Sequence, residues 1–242
     1  MASKLLSAHA GGPEGLLRPN TIQAIQAAKD TGVDLIEFDV RVTRDNKFVL
    51  HHDDTVRVRN KTVKINKLTY DELRMYSKDV CLLEDVLMLI RDHAMAHVDI
   101  KTHTKTLDIV DLCVSVLGEK SFVITTTDTR VVKRIRKQRP NINVALTIGQ
   151  DISGMSLMNK MQVRLAEYFP FLLIARCDPT SLAICYKAAM PWTLEYAQFR
   201  HMPVLLWTLD DEAIVQKAWQ DKRVWAFTTN YPRRALTLRH PK

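Results

Sequence analysis

Short apolar runs alternate with longer stretches of helical periodicity along most of the chain. The runs are Leu5–His9, Asp34–Val40, Ala96–Lys101, Phe122–Thr125, Asn143–Thr147, Leu172–Arg176, Val204–Thr208 and Val224–Thr228. Between them, Thr21–Lys29, Leu107–Leu117, Thr129–Gln138, Thr180–Phe199 and Asp211–Gln220 carry apolar residues at helical spacing. Strands alternating with helices predict βα units around a parallel sheet. The pattern fits an open doubly wound sheet or a closed barrel. Eight units in 242 residues favour a (β/α)8 (TIM) barrel, for which roughly 250 residues is typical. No linker or composition break interrupts the pattern, so residues 1–242 read as one domain.

One segment breaks the rhythm. Val40-Arg41-Val42-Thr43 is followed by Arg44-Asp45-Asn46-Lys47 and then Phe48-Val49-Leu50. Asp and Asn tolerate the positive φ of a tight turn, which predicts a β-hairpin extending the second strand. A two-residue turn at Asp45-Asn46 sets Asp39 directly opposite His52.

Composition narrows the class. The mix, 46% hydrophobic and 26% charged, is that of an ordinary globular domain. Cys81, Cys113, Cys177 and Cys185 form no C-x-x-C pair, so zinc and redox motifs are absent and buried reduced thiols are expected. Met1 to Lys4 lead straight into an apolar run, with neither a signal peptide nor a membrane-length apolar stretch, which reads as cytoplasmic. The net charge of +8 invites anionic partners. Its densest stretch, Lys133 to Arg139, interleaves with Val131, Val132 and Ile135 and reads as the solvated face of an amphipathic helix. No nucleic-acid motif accompanies it. Residues 54–80, with several Arg and Lys, are expected to cover the barrel mouth.

Strand alternation sorts the polar residues. Glu37 and Asp39 share one face, preceded on it by Val33 and Leu35, while Ile36, Phe38 and Val40 take the other. Asp99 and Lys101 repeat the pattern on the third strand. Paired inward carboxylates are costly to bury without a neutralising partner. Three carboxylates without Cys or paired His suit a hard cation, Mg2+ or Ca2+. An inward lysine suits an anion. His9 ends the first strand and His52 the hairpin, both beside the carboxylates, so the two imidazoles can divide general base and general acid between them. His51 competes with His52, and the expected register favours His52.

These residues resemble the glycerophosphodiester phosphodiesterase family. Its H-R-G and P-E-N-T stretches correspond to His9-Ala10-Gly11 and Arg18-Pro19-Asn20-Thr21. Its E-x-D-V, T-x-D-G and V-x-x-H-D block corresponds to Glu37–Val40, Thr43–Asn46 and Val49–Asp53. Asp99-Ile100-Lys101 resembles its E-x-K strand, and Trp207-Thr208 and Thr229-Asn230-Tyr231-Pro232 its last two strand ends. The resemblance implies a divalent cation, Mg2+ or Ca2+, on Glu37, Asp39 and Asp99, catalysis by His9 and His52, and phosphate binding by Lys101. The implied reaction releases sn-glycerol 3-phosphate and an alcohol, with the adjacent glycerol hydroxyl able to attack first and give a cyclic phosphate that water then opens.

The chain also departs from the pattern. The family Arg is Ala10, the family Glu is Pro19, the third carboxylate is Asp99, and Asn230 replaces an Asp. Arg18 or Arg41 is expected to replace the lost Arg. The last two departures also occur in the spider-venom phospholipase D branch, whose secretion signal and disulfides this chain lacks. Two alternatives to glycerophosphodiester hydrolysis therefore stand: a lysophospholipase D-like enzyme, with transient membrane-surface contact, and a degenerate phosphodiester-binding barrel. The former needs an apolar groove, for which Met155, Leu157, Met158, Phe169 and Phe171 are candidates, although their spacing also fits core packing.

Overall fold

The computed structural model describes residues 4–12, 14, 17–149 and 154–239. Residues 1–3, on which the reading of the leader partly rests, lie outside them. The chain runs β1 (Leu5–Ala8), α1 (Ile22–Asp30), β2 (Leu35–Val42), β3 (Phe48–Leu50), β4 (Thr55–Val58), β5 (Lys61–Lys64), α2 (Tyr70–Tyr76) and α3 (Leu83–Ile90). It continues through β6 (Met95–Ile100), α4 (Thr106–Leu117), β7 (Phe122–Thr126), α5 (Thr129–Gln138), β8 (Val144–Ile148), α6 (Leu157–Tyr168) and α7 (Phe171–Cys177). The last elements are β9 (Ser181–Cys185), α8 (Pro191–Phe199), β10 (Val204–Trp207), α9 (Glu212–Gln220), β11 (Val224–Thr229) and α10 (Pro232–Thr237).

Strands β1, β2, β6, β7, β8, β9, β10 and β11 pair in parallel, and β1 closes the ring by pairing with both β2 and β11. This is the eight-stranded barrel the sequence predicts. Alternation produces its two layers. Ile36, Phe38, Val40, Val98 and Ile100 join the large cluster beneath the helices. Leu35, Val123, Ala145, Ala183, Leu205 and Ala226 fill the lumen. Val33 belongs to the outer cluster instead of the inner face, because it precedes the strand.

Two of the expected boundaries are wrong. Leu172–Arg176 is not a strand but lies within helix α7. Ile174 and Cys177 are its buried residues, three apart, while Leu172 is 83% exposed; this is helical burial, and an apolar run this short cannot reveal its period by composition. The sixth barrel strand is β9, which lies inside the expected helix Thr180–Phe199. Helix α8 starts only at Pro191, which suits a first helical turn because its missing N–H is not needed there.

The hairpin is also offset by one residue. Val40 pairs with Leu50, Arg41 with Val49 and Val42 with Phe48. Thr43 and Lys47 close a three-residue loop by the Thr43 N–H to Lys47 carbonyl bond, and Asn46 takes φ 61°. A turn followed by a left-handed residue is the usual three-residue alternative to a two-residue turn. The outer side of β3 is covered: Leu50 N–H donates to the Cys81 carbonyl and Val49 bridges Leu82.

Residues 54–80, expected over the mouth, contribute no residue to the lining of the cavity at the C-terminal ends of the strands. Strands β4 and β5 form a separate ribbon, and Val49, Val56, Ile65, Leu73 and Val80 make a satellite core beside the barrel. The four cysteines are free, with Cys81, Cys113 and Cys177 buried. Val131, Val132 and Ile135 bury the inner face of α5, as its amphipathic pattern requires. No helix among the described residues is long and apolar enough to cross a membrane.

Candidate active site

A cavity of about 510 Å³ opens at the C-terminal ends of the barrel strands. His9, Glu37, Asp39, Arg41, His52, Asp99, Lys101 and Trp207 all line it. Eight of the nine residues singled out from the sequence therefore meet in one place. Arg18 does not: it donates to Asp79 Oδ2 and Ser77 Oγ, both at 3.3 Å, in a neighbouring crevice that it shares with His51.

Carboxylate oxygens of Glu37, Asp39 and Asp99 lie within 4.8 Å of one another. Each is held by a partner. The Ala10 N–H donates to Glu37 Oε2 at 2.7 Å, so the position that lacks the family Arg still contributes through its backbone. Ala10 adopts φ 47° to do so, an uncommon conformation for a residue with a side chain. Asn20 Nδ2 donates to Asp39 Oδ2 at 2.8 Å, and Asp39 N–H donates to Asn20 Oδ1 at 2.9 Å. Lys101 Nζ sits 2.6 Å from Asp99 and 3.2 Å from Asp39.

One lysine does not balance three clustered carboxylates, two of them buried. Burial, with Asp39 and Asp99 nearby, drives the Glu37 carboxyl well above the usual range. Burial also raises Asp99, with Lys101 opposing the shift. Burial works against the Lys101 charge, yet Asp99 and Asp39 hold its pKa above the ordinary value. Excess negative charge on convergent oxygens is what a divalent cation neutralises, so the residues present fit a hard cation.

The two histidines differ in their partners. His9 Nδ1 is 2.8 Å from Asn230 Oδ1. Asn230 Nδ2 is committed to Asp210 Oδ2 at 2.7 Å, and its N–H to Asp210 Oδ1 at 2.9 Å. The Asn230 oxygen can therefore only accept, which fixes the proton on His9 Nδ1 and leaves Nε2 as a base, 4.0 Å from Glu37. His52 lies two residues beyond the end of β3, not opposite Asp39; that place belongs to His51, whose N–H donates to the Asp39 carbonyl. The His52 Nδ1 faces Asp53 Oδ1 at 2.9 Å, and this hydrogen bond lowers the Asp53 carboxyl. His52 stays largely exposed at the rim, with 69% of its side chain accessible. Arg41 fastens that segment down, donating from Nε and Nη2 to the His52 carbonyl at 3.0 and 2.6 Å, and from Nη1 to the Lys101 carbonyl at 3.0 Å. Its guanidinium braces two site residues and is not a free replacement for the missing Arg.

Sequence reasoning missed three contributors. His97 shares the inner face with Asp99, so alternation could have found it. It is buried between Ser7 Oγ at 3.1 Å and Thr125 Oγ1 at 3.2 Å. Asn20 lay inside a quoted motif, but its role depends on φ 60° and on the side-by-side pairing of β1 with β2, which brings it to Asp39. Asp210 had no local signal. Burial lowers His97 to about 3 from an ordinary value of 6.5. The folded state then binds fewer protons than the unfolded state between these values. Stability is expected to fall as pH drops from about 6.5 towards 3. A His97→Asn variant followed by urea unfolding should lose much of that slope; an unchanged slope would contradict the buried neutral imidazole.

A parallel (β/α)8 barrel with carboxylates, two histidines and a lysine at its C-terminal rim defines a phosphodiesterase of the type outlined above. The chain belongs to the glycerophosphoryl diester phosphodiesterase family, whose model matches residues 9–233. It is 25% identical over 276 aligned positions to a lysophospholipase D of Mus musculus, covering 97% of this chain and 81% of that one. Its fold matches a glycerophosphodiester phosphodiesterase of Thermotoga maritima with a TM-score of 0.77 at 21% identity, covering 99% and 100% of the two chains. It also matches an Oleispira antarctica phosphodiesterase solved with its product sn-glycerol-3-phosphate, at TM-score 0.74 and 17% identity, covering 97% and 96%.

Proposed function

We propose that the chain hydrolyses glycerophosphodiesters to sn-glycerol 3-phosphate and an alcohol. The observation that carries this reading is the contact of His9 Nδ1 with Asn230 Oδ1, which turns Nε2 to the Glu37 side of a cavity that Asp39, Asp99 and Lys101 also line. His9 Nε2 accepts the proton of the attacking group: either a water that displaces the alcohol directly, or the neighbouring glycerol hydroxyl, whose attack expels the alcohol and leaves a cyclic phosphate that water then opens to sn-glycerol 3-phosphate. His52, oriented by Asp53 at Nδ1, donates a proton to the leaving oxygen. Lys101 places its charge beside the non-bridging phosphate oxygens, where negative charge builds up in the transition state. Glu37, Asp39 and Asp99 would hold Mg2+ or Ca2+, which supplies charge neutralisation at the same phosphate.

A second substrate class is favoured by a specific observation. Helix α6, beside the cavity, exposes Leu157, Met158, Met161 and Leu165, none of which lines the cavity itself; such an apolar exterior suits an enzyme that meets a lipid-borne substrate, and the Mus musculus relative is named a lysophospholipase D. Hydrolysis of glycerophosphocholine and lysophosphatidylcholine, after chelation and after adding back Mg2+ or Ca2+, tests both. Metal-restored release of glycerol 3-phosphate is the expected result. Turnover of the lysolipid alone would reassign the substrate, and turnover of neither would refute the proposal.

A further inference from the structure

Helix α6 is anomalous for a barrel. It is inserted between β8 and α7, and Glu167 is its one fully buried residue. Its apolar residues recur at helical spacing on the outside: Met158 is 66% exposed, and Met161 and Leu165 are each 62% exposed. Leu157 precedes this stripe, and Phe169 and Leu172 continue it beyond the helix end, all exposed. Contiguous exposed apolar surface of this kind marks a binding face. It is not residual core, because the helix turns another side inward: Glu167 is buried and Val163 and Ala166 are half-buried, all three bordering a crevice of about 280 Å³. That crevice shares Thr127, Thr147 and Gly149 with the catalytic cavity. The exposed face is thus one helix-width from the active site.

We propose that the outer face of α6 docks on an anionic lipid surface and brings the barrel mouth to membrane-resident substrate. Charge selects this partner over a second copy of the chain. Two copies, each carrying +8, repel one another, whereas an anionic leaflet attracts them. Helix α6 itself carries Lys160 and Arg164 against a single acid, the buried Glu167, which is ion-paired to Arg164, so the helix is net positive through Lys160. Aromatic groups suited to the headgroup level sit at its end. Tyr168 accepts a bond at its carbonyl from Trp192 Nε1 at 2.8 Å, and Trp192 stacks on Phe169 with ring centroids 6.1 Å apart. A helix that exposes an apolar face on a positively charged protein binds in the plane of an anionic interface.

The inference deepens the lysophospholipid reading by naming how the substrate is reached, but vesicle binding is measured without turnover, so each stands or falls separately. The full chain is sedimented with phosphatidylcholine vesicles containing about a third phosphatidylglycerol, with phosphatidylcholine vesicles alone, and with the anionic vesicles at high salt. A Met161→Ser/Leu165→Ser variant is run beside it, with glycerophosphocholine hydrolysis and light scattering as controls. Binding to the anionic vesicles, weakened by salt and at least tenfold by the double substitution, is expected, with soluble-substrate turnover and monomer mass unchanged. A wild-type chain that stays in the supernatant, or a variant that binds as tightly as wild type, would overturn the proposal. Dimers that the substitutions dissolve would do so as well, by assigning the face to self-association.

Discussion

A His9→Ala variant is expected to lose roughly two to four orders of magnitude in kcat on a glycerophosphodiester, the span of a lost general base. The fold should survive, since the His9 side chain is 38% exposed and lies at a strand end. The more informative partner is Asp210→Ala. Asp210 touches no reacting atom, yet it directs the Asn230 amide so that only its oxygen faces His9. Without it, Asn230 can turn its nitrogen towards His9 and stabilise the wrong tautomer. A fall in kcat with KM and cation binding little changed would identify Asp210 as a positioning residue. An unchanged kcat for His9→Ala would remove His9 from the mechanism, and an unchanged kcat for Asp210→Ala would remove only the relay.

Chelation is expected to abolish turnover and to lower the Tm of the wild-type chain but not of Glu37→Gln. A cation present at a hundred times its Kd stabilises by about 2.7 kcal/mol, which for a chain of this size is roughly 5–10 °C. Gln keeps an oxygen to accept the Ala10 N–H and removes only the charge. Because burial already favours the neutral Glu37 carboxyl when no cation is bound, the substitution should scarcely change the stability of the chelated protein. The same shift makes cation binding proton-linked: affinity should fall as pH falls, since Glu37 must lose its proton to bind. Calorimetric titration with Mg2+ and Ca2+ checks this, and equal cation affinity in Glu37→Gln would exclude Glu37 as a ligand.

The first half of the barrel was largely legible in the sequence because its chemistry and its pattern coincide. Glu37 and Asp39 alternate with Ile36, Phe38 and Val40, so one strand reports both its face and its site. The later half carries less information of this kind. Phe171–Cys177 and Ser181–Cys185 are both short and apolar, and only burial against neighbours separates helix from strand. The hairpin shows the difference between a residue and its reason. His52 reaches the cavity, but through the chain beyond β3 and the Arg41 brace, not through pairing with Asp39. Arg18 was a reasonable candidate by charge alone, and Ser77 and Asp79, remote in sequence, draw it elsewhere. Asp210 acts through Asn230 across some 20 residues, a link that only the folded chain makes.

Ring closure also bears on solubility. A barrel has no terminal strand, so its eight parallel strands offer no template for adding a foreign one. The hairpin strand β3 reintroduces an edge, and the bond from Leu50 to Cys81 and the bridge from Val49 to Leu82 seal it. Lesions that loosen Val80–Leu82 would therefore harm the protein chiefly by opening β3 to intermolecular pairing, even with the catalytic cavity intact.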